Sequence, residues 1–178
     1  MKLLQLTLAL LKPDVVKVPF VFSEIRHDIL DAGFHIVCSR ELCLRDGEAE
    51  RFYAEHEGRF FHNRLVTFMK SGPIHAMILA HPSAIAKWRQ LMGPTKTFRA
   101  QYEAPQTIRG MFGLTDTRNC SHGSDSPDSV AREIKFFFPD FNQQRWYEEE
   151  EPYMRNNQCQ LDESLFIHRV SNSALNVQ

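Results

Sequence analysis

Leu4, Leu6, Leu8 and Leu10 alternate with Gln5, Thr7 and Ala9. That period of two predicts a strand. Lys12-Pro13-Asp14 stops it, because proline has no N–H to give to a ladder. From Pro19 to Leu30 the pattern changes to helical spacing, with Phe22, Ile25, Ile29 and Leu30 on one face. Asp31-Ala32-Gly33 ends that helix, Gly33 suiting a left-handed C-terminal position. A second strand is predicted over Phe34 to Leu44. Asp46 suits an N-cap, and Glu48 and Glu50 the first turn, of a short helix that runs to His56 and breaks at Gly58. A further helix covers Phe61 to Lys70, a buried strand Ile74 to Ala80, and a helix opened by Pro82 carries Ile85, Trp88 and Leu91.

Gly93 to Ser126 shows few periodic signals and reads as one long irregular stretch, of the kind that carries function in compact domains. Ser126 as N-cap and Pro127 at the first position then open a helix to about Phe138. After Pro139 the chain turns polar, and Glu148 to Glu151 reads as a solvated face. The pattern predicts one domain over 1–151 and a flexible or loosely docked tail over 152–178. Alternating strands and helices with few strands predict an α/β or α+β sandwich with one small sheet.

The formal net charge of −1 over 178 residues gives no bulk attraction to nucleic acid or to a membrane surface, so a nucleic-acid partner is not expected. Any anion site must be a local cluster of basic groups. The four cysteines, Cys38, Cys43, Cys120 and Cys159, have neither disulfide-framework nor zinc spacing, and read as free thiols of a reducing compartment. No apolar run is long enough to span a bilayer. Gln5 and Thr7 interrupt the first apolar stretch and no A-x-A site follows, so secretion is not expected. An intracellular protein, mitochondrial or cytoplasmic, fits.

Arginine matches phosphate oxygens with its planar fork. Lys12 at a strand end, Arg59, Arg89, Arg109 and Arg118 are candidates for an anion site. In T-I-R-G, Gly110 is expected to let backbone approach a ligand beside Arg109. No G-x-x-x-x-G-K-S/T or G-x-G-x-x-G element is present. R-N-C-S-H-G-S-D-S (118–126) sets His122 among small polar residues. A histidine with one ring nitrogen free and the other held by an acceptor is a competent nucleophile. Gly123 leaves its approach open, and Glu133 on the next helix is an acceptor within reach. From the residues alone two readings of His122 stand: a nucleophile, or a histidine bonded to its own loop. His56 and His62 read as surface or packing residues, and Tyr53 and Phe61 as pocket lining or core.

From about residue 4 to 140 the chain resembles the nucleoside diphosphate kinase family. The motifs are L-A-L-L-K-P-D (8–14), F-Y-A-E-H-E-G-R-F-F (52–61), S-G-P (71–73), L-M-G-P-T (91–95), T-I-R-G (107–110) and R-N-C-S-H-G-S-D-S (118–126). L-T-D-T-R-N and F-F-P-D-F-x-x-Q-R-W-Y-E-E-E-E-P look most like its divergent nucleoside diphosphate kinase 6 subgroup. The resemblance implies a ferredoxin-like βαββαβ core with a four-stranded antiparallel sheet covered by helices. It implies a ping-pong phosphotransferase in which ATP or another nucleoside triphosphate phosphorylates a histidine and a nucleoside diphosphate takes the group.

By motif, His122 matches the phosphorylated histidine, Glu133 the acid that orients its ring, and Ser124 the support of that acid. Lys12, Tyr53, Arg109 and Asn119 match residues around the phosphoryl group and ribose. Arg89 and Thr95, with Arg109, match phosphate ligands, and Phe61 the aromatic on which the base stacks. The implied cofactor is Mg2+, carried on the nucleotide phosphates with no direct protein ligand, Asp125 touching its water shell. The chain departs from the family's pattern at Phe60, at Asp116, in a longer loop from Lys96 to Ala104, and in the tail. Those departures put the family's hexamer in doubt, leave a homo-oligomer open, and support a second reading: an interaction protein of the same fold with little intrinsic turnover, needing a protein partner.

Overall fold

Strand β1, Gln5–Leu11, is the centre of the molecule, and almost every residue of it is buried. In the computed structural model, which describes residues 2–171, β1 is followed by α1 (Pro13–Val16) and α2 (Pro19–Asp31). Then come β2 (His35–Leu42), α3 (Glu48–Phe52), a 3₁₀ turn (Ala54–His56) and α4 (His62–Met69). Next are β3 (Ile74–His81), α5 (Ala84–Met92), α6 (Thr97–Glu103), α7 (Ile108–Phe112) and β4 (Ser121–Gly123). The chain continues through α8 (Pro127–Phe137), α9 (Gln143–Glu149), α10 (Glu151–Arg155), β5 (Cys159–Asp162) and β6 (Ile167–Val170).

The first four strands form one antiparallel sheet in the order β2-β3-β1-β4. That is the ferredoxin-like βαββαβ arrangement, and it places β1 and β3 in the middle. Both faces of the sheet are covered, so β1 is buried on both sides, Thr7 and Ala9 as well as the leucines that alternate with them. Leu6, Leu8, Leu10 and Ile78 pack beneath Phe52, Met69, Ile134 and Phe137 of α3, α4 and α8. Ala9, Leu11, Met77 and Leu79 pack against Ile25 and Ile29 of α2 and Trp88 of α5.

Several local expectations are corrected. The 93–126 stretch is not irregular: it holds α6, α7 and β4. These escape a periodicity reading because they are short and bury few side chains, Thr97 and Ala100 in α6, Ile108 and Arg109 in α7. Gly47, not Asp46, precedes α3, and Asp46 instead faces Lys70 at 3.4 Å. Pro82 lies in the turn before α5, with Ser83 at the N-cap. Ser126 does cap α8, accepting from the Ser129 N–H at 3.2 Å.

Glu151 leaves the solvated acidic run altogether. It is fully buried and accepts the Leu4 N–H at 2.9 Å, with Arg155 Nε at 3.5 Å. An accumulation of like charge hid one residue that ties α10 to the start of β1. Residues 152–171, read from sequence as the tail, carry the rest of α10 and the antiparallel β5–β6 hairpin. The hairpin lies against the sheet: His168 Nδ1 accepts the Ile36 N–H of β2 at 2.9 Å, and the Arg26 guanidinium of α2 sits 3.7 Å from the Phe166 ring centre. Its apolar anchors stand singly in polar sequence, which left no period to read. The remainder of the tail, 172–178, lies outside the described residues.

Candidate active site

The register of β4 on β1 builds the site. His122 pairs with Leu10 and Ser121 with Leu11, so Lys12, one residue past the end of β1, comes beside the histidine strand. The Lys12 N–H donates to the Cys120 carbonyl at 2.8 Å and extends that pairing. Cys120 has φ of 72°, a left-handed conformation uncommon outside glycine and strained when buried next to a site. On the other side of β4, the Trp88 Nε1–H donates to the His122 carbonyl at 3.1 Å. A Cβ on Gly123 would collide with the Trp88 ring and with Met92 Cε. Gly123 is therefore required by the packing of α5 on β4, rather than only by open approach to His122. Gly110 is likewise required by the protein itself, since a Cβ there would strike Ala104 O and Pro105.

His122 Nε2 lies 3.0 Å from Glu133 Oε1, and the Ser124 hydroxyl donates to Glu133 Oε2 at 2.6 Å. Glu133 is buried. With Nε2–H donating to a carboxylate, Nδ1 is the ring nitrogen with a free lone pair. The reading of His122 as a histidine bonded to its own loop does not describe this geometry, because its partner is on α8. The ring also meets Phe52 edge-on at 5.2 Å and Tyr53 at 6.0 Å, which fixes its plane.

His122 faces a cleft of about 460 Å³. Lys12, Tyr53, Phe61, Arg89, Thr95, Arg109, Asn119, Asp125 and Glu133 all line it, so residues far apart in sequence come together in one cavity. Lys12 is buried, and its ammonium donates to Asn119 Oδ1 at 2.6 Å and to the Thr117 carbonyl at 3.4 Å. Burial, and next the Arg109 charge, lower its pKa to about 8. Asn119 Nδ2–H donates in turn to the Thr95 carbonyl at 3.1 Å. Arg109 donates to the carbonyls of Gly93 (2.8 Å), Ser121 (2.9 Å) and Asn119 (3.3 Å). It thereby ties three chain segments together, and burial brings its pKa down to about 10. The Tyr53 hydroxyl is buried without a hydrogen-bond partner, and burial, then the Glu133 charge, raise its pKa.

Arg59 and Arg118 are not among the cleft-lining residues. Arg118 is exposed and its guanidinium lies 5.9 Å from the Phe68 ring centre. His56, expected to be a surface or packing residue, lines the cleft with its ring 5.4 Å from that of Phe61. Two contributors were missed in the sequence. Asp14 accepts the Cys120 N–H at 3.1 Å and holds the strained turn; its place in K-P-D was the available signal. Arg64 of α4 lines the cleft, with nothing local to mark it.

Among the described residues no three His, Cys, Asp or Glu side chains converge to hold a metal ion. Asp125 is on the cleft wall, one oxygen accepting from the Ser129 hydroxyl at 2.6 Å. A carboxylate so placed suits Mg2+ carried mainly by phosphate oxygens and water. All four cysteines are free, and no helix among the described residues is long and apolar enough to cross a membrane.

A family model described as nucleoside diphosphate kinase matches residues 5–143. The human protein named nucleoside diphosphate kinase 6 is 62% identical over 152 residues, covering 85% of this chain and 82% of that protein. The Danio rerio protein of the same name is 49% identical over 172 residues, covering 97% and 98%. Among solved structures, the nucleoside diphosphate kinase of Aquifex aeolicus superposes with a TM-score of 0.73 at 36% identity, over 76% of this chain and 95% of that one. The enzyme of Halobacterium salinarum, solved in complex with CDP, gives 0.70 at 34% identity, over 80% and 97%.

Proposed function

The chain belongs to the nucleoside diphosphate kinase family, and on that premise we propose that it moves the γ-phosphoryl group of ATP, or another nucleoside triphosphate, to a nucleoside diphosphate by way of His122. The observation that carries this reading is the chain of contacts Ser124–Glu133–His122 beside a cleft that also gathers Lys12, Arg89 and Arg109. Glu133 holds the Nε2–H, so Nδ1 attacks the γ-phosphorus. The Nδ1–P bond forms as the bond from phosphorus to the β–γ bridging oxygen breaks, and the nucleoside diphosphate leaves. A terminal oxygen of the second diphosphate then attacks the same phosphorus and the Nδ1–P bond breaks. A covalent intermediate lets one site serve two nucleotides in turn.

Phosphoryl transfer asks a protein mainly for position and charge. Lys12 and Arg109 are fixed by their hydrogen bonds before substrate arrives. Arg89 and Thr95, exposed at the rim, are free to turn onto phosphates. The Tyr53 and Asn119 side chains face the phosphoryl group and ribose, and Phe61 offers a stacking face to the base. Mg2+ carried on the phosphates would neutralise part of their charge, and Asp125, on the cleft wall, would be the residue to meet its water shell.

A second reading, a partner-dependent interaction protein on this fold, draws support from Phe98 and Tyr102. Their rings lie 4.8 Å apart on α6, exposed with Met111 and Leu114. One experiment addresses both. Incubated with γ-labelled ATP and magnesium, the protein is expected to carry an acid-labile label that His122→Ala abolishes and GDP removes as GTP. A folded protein that binds nucleotide but takes no label would favour the partner-dependent reading.

A further inference from the structure

We infer that the cleft reads the base, with Asp116 as the specificity-determining side chain and guanine as the base it favours. This rests on the kinase reading above and extends it to the choice of substrate. The phosphate end of the cleft is fixed by His122, Lys12 and Arg109. Phe61, Arg64 and Leu65 line the same cleft as Lys96 and Asp116, and the charge of Arg64 acts on Asp116. Stacking on Phe61 alone would accept any base, because every base has a π-face. Asp116 adds something stacking does not supply.

Its carboxylate is held in place. Oδ1 accepts the Thr97 N–H at 3.1 Å and Oδ2 accepts from Lys96 Nζ at 2.8 Å. The Thr97 hydroxyl donates to the Thr115 carbonyl at 2.9 Å and pins the same turn to the start of α6. The Asp116 side chain is still 47% exposed, and an ionised carboxylate has about four lone-pair sites. Two are used, so two face outward. The Lys96 hydrogen bond and, more weakly, the charge of Arg64 hold its pKa below the usual carboxylate value. Those two cations also offset the cost of bringing a carboxylate near a polyphosphate.

Guanine alone among the common bases presents two adjacent donors, N1–H and the N2 amino group, to a two-oxygen acceptor. Adenine sets the N1 lone pair beside its amino group, cytosine sets N3 beside its own, and uracil offers one N–H between two carbonyls. A carboxylate is repelled by each of those acceptors. A good bidentate pair gives about tenfold discrimination or more.

The test is titration calorimetry with GDP, ADP and CDP, run beside phosphoenzyme formation from ATP on the same sample. The wild-type protein is expected to bind GDP about tenfold more tightly than ADP or CDP. Asp116→Val should bring the three within about threefold. Asp116→Asn should turn the preference toward xanthosine diphosphate, whose N1–H and C2 carbonyl complement an amide; a misfolded variant cannot show that gain. Equal affinity for the three diphosphates in a wild-type protein that forms phosphohistidine overturns base reading and leaves the kinase reading standing. A guanine preference unchanged in Asp116→Val overturns the role of Asp116. A folded protein with neither nucleotide binding nor phosphohistidine overturns both.

Discussion

Lys12 shows how one side chain can be positioned at a cost. It is buried, it donates to Asn119 Oδ1 at 2.6 Å, and its pKa falls to about 8 because burial disfavours the ammonium form. A bound polyphosphate favours the charged form. Nucleotide affinity therefore stands at its full value below that pKa and is lost as pH rises through it. Calorimetry should find a nucleoside diphosphate bound about tenfold more weakly at pH 9.5 than at pH 7; a flat profile would remove the Lys12 charge from binding. The same residue marks what was readable. Lys12 at a strand end, and His122 with Glu133 an acceptor within reach, were visible as residues. That Arg109 would be occupied by three carbonyls, and that Tyr53 would bury an unpartnered hydroxyl, were not. Those depend on which loops meet.

At the scale of elements, β4 is three residues long and carries His122, the proposed nucleophile. It has little stability of its own and is held by β1 on one side and by the Trp88 Nε1–H bond to the His122 carbonyl on the other. Gly123→Ala adds a methyl group where the Trp88 ring already is. Overpacking of this kind costs about 1–3 kcal/mol. The variant should melt at lower denaturant concentration and form phosphohistidine more slowly, since the shift falls on the residue next to His122. Unchanged stability would show that α5 can move aside. Helices α2, α4 and α5 were legible from the spacing of their apolar residues, and α8 from the Ser126 cap and Pro127. The α6, α7 and β4 segments were not, because each is one or two turns, or one pairing, whose reason lies in another element.

For the whole molecule, the β5–β6 hairpin decides how far the folded unit extends. Phe166 is buried, against the second core and under Arg26. We propose that the folded unit runs past 151 to include it. Phe166→Ala should then destabilise the protein by about 3 kcal/mol, read by chemical denaturation. A change near zero would return the hairpin to the status of a loosely docked tail.

The sequence by itself determined the alternation of strands and helices, the buried strand read over Ile74 to Ala80, the absence of a bulk charge drive toward nucleic acid, and the identity of the residues with chemistry to offer. It could do so because periodicity, capping and side-chain chemistry are local properties. The tertiary structure decided the rest: that His122, Glu133 and Ser124 form one chain of contacts, that Lys12 meets Asn119 across 107 positions, that Glu151 is buried, and that Asp116 faces a cleft with Lys96 and Arg64. Each of these is set by sheet register and by which loops the strand order β2-β3-β1-β4 brings to one end, and no local pattern encodes a distance between segments so far apart.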